Sequence, residues 1–328
     1  MIENYFINKK ICITGGAGFI GSAIARRLAR IANVKVVDSM TPQYGGNLKN
    51  LDSIKHLIDI QIGDVREKKI TEKLVKNVDF IFNMAGQTSH MDSMSDPFTD
   101  LEINAHAQLA ILEAVRRFNP KVKLIFASTR QLYGRPNYLP VDEKHPVRPV
   151  DINGINKNAG EQFHLLYHNV YGIKTSVLRL TNTYGPGMRI KDARQTFVGL
   201  WIKNVIQNNI FEVWGGNQMR DFNYVEDVVD AFLVAAISKD SEGEIFNLGS
   251  SEIINLKDLA NKLIEINGYG DFFEMNFPED RKKIDIGDYY SDFSKITSTL
   301  GWKPSTSLNK GLKKSLEFYK NDGESYFD

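Results

Sequence analysis

Through the first half of the chain, short apolar runs alternate with longer stretches whose apolar residues fall three and four apart. Short runs rich in Ile, Val and Phe predict strands at Lys10–Thr14, Lys35–Asp38, Asp59–Gly63, Phe80–Asn83, Lys123–Ala127 and Thr175–Leu180. The amphipathic stretches between them predict helices, notably Ile20–Ala32, Asp100–Phe118 and Asn156–Val170. Strand and helix in alternation build parallel βαβ units. The expected fold is therefore α/β, a doubly wound, mostly parallel Rossmann sheet that takes its ligand at the carboxyl ends of the strands.

After Gly185-Pro186 the pattern loosens into short helices, strands and loops. Tyr224–Ile237 and Phe246–Leu248 return to helix-then-strand character. This predicts a main domain of residues 1–185 plus 223–250. Residues 186–222 plus 251–328 are left to a smaller, discontinuous α+β lobe. No internal repeat or flexible linker interrupts the sequence.

Composition narrows the classes. With 41 Lys+Arg against 40 Asp+Glu, no basic surface advertises nucleic acid or an anionic membrane. A single cysteine, Cys12, lies in the first apolar strand, which excludes an internal disulfide framework and fits a reducing compartment. The scattered histidines show no metal-ligand spacing. Without a signal core or a membrane-length apolar run, the expected location is the cytoplasm.

The chemistry begins at Ile11-Cys-Ile-Thr-Gly15-Gly16-Ala-Gly18-Phe-Ile-Gly21. Here a strand passes through a glycine turn into a helix. Gly15 permits the tight turn, Gly18 lets a pyrophosphate approach the backbone, and Gly21 lets the helix pack close. The helix start offers free N–H groups and the positive end of its dipole. Asp38 ends the next strand, about twenty residues on, where a carboxylate accepts from both ribose hydroxyls and repels a 2′-phosphate. The expected cofactor is NAD. Asp64, Ala85 and Gly86 sit at further strand ends beside it, and Phe19, Ile20, Asn47, Val65 and Asn104 complete the candidate contacts.

Taken together with Gly63-Asp64-Val65, Asn104, Ala127-Ser128-Thr129, Leu132-Tyr133-Gly134 and Pro140-Val-Asp-Glu143, this pattern resembles a known family. Lys157, Glu161, Arg179-Leu-Thr-Asn182, Tyr184-Gly-Pro186, Arg220-Asp221-Phe222 and Gly301-Trp302 extend the match over most of the chain. It is similar to the extended short-chain dehydrogenase/reductases acting on nucleotide sugars. The resemblance implies a nicotinamide cofactor over the sheet, a nucleotide-diphosphate sugar beneath the small lobe and a homodimer. Helical Leu109, Ile111, Leu112, Phe163, Leu165 and Leu166 are candidates either for that dimer or for the monomer core.

In that family a Ser or Thr hydroxyl, a Tyr, and a Lys four residues after the Tyr carry catalysis. Thr129 and Lys157 match the first and last, but Asn153 stands where the Tyr belongs. An amide orients a hydroxyl or a water and cannot take its proton. The candidate replacements are Lys157 itself, His90 and Tyr133, with a substrate-assisted or water-relayed transfer also open. A second departure concerns the sugar 4,6-dehydratases of the family, in which an Asp-Glu pair follows the threonine. Here Arg130 and Gln131 follow, which disfavours that reaction. Arg130 is suited either to a carboxylate on the sugar or to a structural ion pair. Gln87, Thr129, Asn182, Arg194, Gln195, Arg220 and Arg281 complete the candidate substrate contacts, with Arg220 and Asn182 resembling the diphosphate grip.

These readings predict epimerisation of a nucleotide-diphosphate sugar through a transient keto intermediate. Elimination or decarboxylation through the same intermediate, and a catalytically silent NAD-binding homologue, stay open.

Overall fold

The computed structural model describes residues 2–194 and 196–327. Its first half supplies β1 (Lys10–Thr14), β2 (Asn33–Asp38), β3 (Asp59–Ile62), β4 (Phe80–Asn83), β5 (Lys123–Thr129) and β6 (Lys174–Leu180). The second half adds β7 (Asn182–Tyr184), β8 (Phe211–Trp214), β9 (Met219–Tyr224), β10 (Glu244–Asn247), β11 (Ile253–Asn255) and β12 (Phe272–Met275). Seven strands form one sheet in the order β10-β6-β5-β4-β1-β2-β3, every pair parallel. The order reverses between β1 and β4, and there the crevice for a ligand opens. A three-stranded sheet, β11-β9-β7, and a two-stranded one, β12-β8, stand outside it.

Alternation along each strand feeds two faces. Ile11 and Ile13 of β1, with Val36, Phe82, Ile125 and Leu178, enter a core that continues through Val228 and Phe232 to Trp201, Phe211, Leu256 and Leu312. Cys12, Val37, Ile81, Leu124 and Val177 point the other way, onto Ile111, Leu112, Val115 and Tyr167. Cys12 is fully buried and free, and burial pushes its thiol up to about 12.

Three predicted helices change their bounds. The first is Phe19–Leu28, because the chain turns at Ala29–Ala32 to deliver Asn33 into β2. The predicted helix Asp100–Phe118 is a composite of α-helix Pro97–Leu101, a π-turn at Glu102–His106 and α-helix Ala107–Phe118. Hydrophobic periodicity does not distinguish such a bulge from continuous helix. The third is Ile152–Tyr171, which begins earlier because the Asp151 carboxylate caps it by accepting from Gly154 N at 2.7 Å.

Among the predicted interface residues, Ile111 and Leu112 are buried in the core and Leu109 and Phe163 pack against it. Leu166 is exposed, as are Val170 and Tyr171 on the same helix. Among the described residues, no helix is long and apolar enough to cross a membrane and no group of His, Cys, Asp or Glu is arranged for a metal.

Candidate active site

A cleft runs along the carboxyl ends of β1, β2, β4 and β5 and reaches Thr183 and Thr196. Gly15, Gly18, Phe19, Ile20, Gly21 and Asp38 line one end of it, with Asp64 and Val65 beside them. Gly15 holds φ +62 and lies so close to the Met84–Ala85 backbone that a Cβ would sit 2.9 Å away. Gly18 precedes the Phe19–Leu28 helix and no side chain caps that terminus, which leaves its N–H groups to an anion in the cleft. The Asp38 carboxylate is fixed by Ala17 N at 3.0 Å and Met40 N at 2.9 Å. These residues fit a dinucleotide: an uncapped helix end for its pyrophosphate and an anchored carboxylate for a ribose diol.

Further along the cleft lie Ala85, Gly86, Gln87, His90, Thr129, Arg130, Asn153, Lys157 and Asn182. Thr129 ends β5 with its hydroxyl accepting from Gln131 N at 3.2 Å. Asn153 and Lys157 share one face of the Ile152–Tyr171 helix, one turn apart. The Lys157 ammonium donates to Ala127 O at 3.1 Å and stands 5.0 Å from the Phe126 ring centre. Burial lowers its pKa to about 8, against the opposing pull of Asp100 and Glu161. A Cβ on Gly86 would meet that ammonium at 2.8 Å, so glycine keeps the lysine's approach open.

Asn153 is committed elsewhere. Its amide donates to Gln87 O at 2.8 Å and lies 3.1 Å from Asp100 Oδ2, while Asn156 donates to the other Asp100 oxygen at 2.8 Å. Asn104 is buried behind the cleft rather than in its lining; it donates to Gln87 O at 3.0 Å, and its own side-chain oxygen has no partner. Asp100 and Asp151 are the residues the sequence reading missed. An acid one turn from Asn104, and an acid three residues before Gly154, were the available signals.

His90 lines the cleft. Its Nδ1 lies 2.9 Å from Asp151 Oδ2, close enough to pair but without the alignment of a hydrogen bond. Asp151 also accepts from Gln131 Nε2 at 2.8 Å.

Tyr133 is corrected as a candidate proton acceptor. It is fully buried outside the cleft, with its hydroxyl held between Arg179 at 2.6 Å and Asn247 at 2.7 Å. Burial pushes its pKa up to about 12. Asn47 is likewise corrected: it caps the turn Leu48–Leu51 by accepting from Lys49 N and does not line the cleft.

On the substrate side, Asn182 accepts from Arg130 Nη2 at 3.0 Å and donates to Asp221 O at 3.0 Å. Arg130 stands 5.2 Å from the Tyr289 ring centre with its Nη1 unpartnered among the described residues. Arg220 lies outside the cleft lining. Its guanidinium donates to the carbonyls of Met219 and Gly287 and pairs with Asp285 at 3.4 Å. Burial, then neighbouring Arg130, lowers its pKa to about 10. Arg281 stacks on Trp214 at 4.5 Å, and Arg194 is exposed with its Nε 3.6 Å from Asp92. Gln195 lies outside the described residues.

Comparison with known proteins identifies the family and the fold. The sequence model of the family described as NAD dependent epimerase/dehydratase matches residues 11–249. A Methanocaldococcus jannaschii protein provisionally named UDP-glucose 4-epimerase is 34% identical over 319 residues, covering 96% of this chain and 100% of that one. UDP-glucuronic acid decarboxylase 1 of Xenopus tropicalis is 30% identical, covering 96% and 73%. The solved UDP-glucose 4-epimerase of Thermotoga maritima, with UDP-glucose, is 29% identical at a TM-score of 0.86, covering 95% and 98%.

Proposed function

The chain belongs to the NAD dependent epimerase/dehydratase family, and from that premise we propose that it epimerises a nucleotide-diphosphate sugar through a transient keto intermediate. One observation carries the reading: a single cleft joins the Gly15–Gly21 turn and Asp38 to Thr129 and Lys157. NAD, bound along the first group, supplies a reversible hydride acceptor. Asp38 holds the adenosine ribose, and the start of the Phe19–Leu28 helix takes the pyrophosphate. Lys157 binds the nicotinamide ribose and keeps the site electropositive. Thr129 orients the sugar hydroxyl where charge develops.

The proton goes to a group other than residue 153, because the Asn153 amide is spent on Gln87 and Asp100. Gln131, a neutral amide bonded to Asp151, has no means of acid–base work, so an ordinary 4,6-dehydratase remains disfavoured. Residues 186–222 and 251–328 are assigned the nucleotide-sugar lobe. The exposed face Leu166, Val170 and Tyr171 suits a homodimer, and the place of work is the cytoplasm.

The unpartnered Arg130 nitrogen favours one second reading. A guanidinium beside the cleft suits a uronate carboxylate, and decarboxylation would pass through the same intermediate.

Purified protein is mixed with UDP-, GDP-, CDP- and dTDP-sugars, with nicotinamide absorbance followed and products read by NMR. An inverted ring carbon with transient cofactor reduction is expected. Loss of carbon dioxide from a uronate substrate moves the assignment to the second reading. Sugar binding with no cofactor reduction across the panel leaves a silent binder and removes both.

A further inference from the structure

We propose that His90, oriented by Asp151, is the proton acceptor for the sugar hydroxyl; this rests on the epimerase reading above. Two facts bring the pair together. His90 opens the short helix His90–Ser95 at the end of the loop after β4 and lines the cleft with Thr129 and Lys157. Asp151 is buried at the N-terminus of the Ile152–Tyr171 helix, the element that also carries Asn153 and Lys157. Its Oδ1 is fixed by Gly154 N and its Oδ2 by Gln131 Nε2, so the carboxylate cannot swing away from the His90 Nδ1 that it approaches to 2.9 Å.

A carboxylate behind one imidazole nitrogen holds the ring in the tautomer whose other nitrogen is free, and stabilises the imidazolium that forms when that nitrogen takes a proton. The imperfect alignment fits a site awaiting substrate, since such contacts tighten in the reacting complex. The competing groups are less suited. Lys157 already donates to Ala127 O, Tyr133 is sealed in the core, and Asn153 is bonded to the cleft floor.

In the oxidation step the sugar O–H bond breaks and its proton bonds to His90 Nε2. The electron pair left on oxygen closes the C=O bond as the carbon's hydrogen departs with its electron pair to NAD, the oxidant. The return step reverses each bond, with Nε2–H giving its proton back. His90 is thus the catalytic group and Asp151 a positioning residue.

The test compares the parent with His90→Ala, His90→Gln and Asp151→Ser, on the nucleotide sugar the parent turns over. Serine keeps the helix cap but is too short to reach the ring. Both His90 variants are expected to lose about 100-fold or more in kcat with little change in KM. Added imidazole is expected to restore part of the rate of His90→Ala, which a packing defect would not allow. In the protein alone, nitrogen-15 NMR should show neutral His90 protonated on Nδ1, and Asp151→Ser should return the usual tautomer mixture. An unchanged rate in His90→Ala, a loss that imidazole does not relieve, or an Nε2-protonated parent ring overturns the assignment while leaving the epimerase reading intact. A parent that reduces no cofactor with any sugar overturns the reading, and the assignment with it.

Discussion

At the scale of single residues, the floor of the cleft is a charge balance that two substitutions expose. Asn153 Nδ2 faces Asp100 Oδ2 at 3.1 Å, so Asn153→Asp places two buried carboxyls within one hydrogen-bond distance. They cannot both ionise there. The variant's stability deficit is expected to be about 3 kcal/mol or more at pH 7 and smaller at pH 5, where one proton is shared. Urea midpoints at the two pH values check this, and a deficit independent of pH defeats it. Lys157 works in the opposite sense. Its pKa in the fold is about 8, below the ordinary 10.5. Between those values the unfolded chain holds more protons, so raising the pH stabilises the fold by on the order of 1.4 kcal/mol per unit. Below about pH 8 both states are charged and the burial penalty is constant. In Lys157→Met this rise disappears, so the stability difference between parent and variant should climb from pH 8 to pH 10; a flat difference would contradict the burial argument. The glycine turn and Asp38 were legible as local signals, whereas Thr129 and Lys157, 28 residues apart, were reached through the family resemblance. The partners of Arg220 were not legible, because Gly287 and Asp285 lie far along the chain. Tyr133 misled for a similar reason: its chemistry suited a proton acceptor, and only Arg179 and Asn247 reveal its burial.

At the scale of elements, the Ile152–Tyr171 helix does most to position the site. It crosses the Glu102–His106 π-turn at Gly160, where an added Cβ would lie 2.9 Å from Asn104 O and 3.2 Å from the Phe126 ring. Alanine is the better helix former by about 1 kcal/mol, while forcing atoms into packed contact costs about 1–3 kcal/mol. Because the nearest obstacle is backbone, packing should win, and Gly160→Ala is expected to lower stability by up to about 2 kcal/mol with an unchanged denaturant slope. A stabilised variant would mean that the crossing is looser than the contacts indicate. The same crossing explains what periodicity could and could not show. Strands β1 and β4 were legible residue for residue, since a short apolar run between breakers has few alternatives. The π-turn was not, since one extra residue in a helical turn leaves the apolar stripe almost unchanged. The early start of the helix at Ile152 turned on the cap formed by Asp151 and Gly154.

At the scale of the whole molecule, the proposed division of labour does not follow the division of the core. Strand β10, from the second half of the chain, is the outer strand of the main sheet beside β6. The first hydrophobic cluster runs without a break from Ile11 and Phe82 to Trp201, Leu256 and Tyr326. Asp227, on the helix before β10, accepts from Ser305 and Thr306, and Trp302 donates to its carbonyl at 2.8 Å. Halves of a chain joined this way cannot come apart without exposing apolar surface on each, so folding should be cooperative across both. The three tryptophans, Trp201, Trp214 and Trp302, all belong to the second half, so their fluorescence reports on that half while circular dichroism reports on every helix. The two thermal transitions are expected to coincide, and NAD at a hundred times its Kd should shift both together by about 2.7 kcal/mol. A tryptophan transition that precedes the loss of helix, or that NAD leaves in place, would show the second half melting by itself. The continuous core would then hold the fold together without making it a single unit of unfolding.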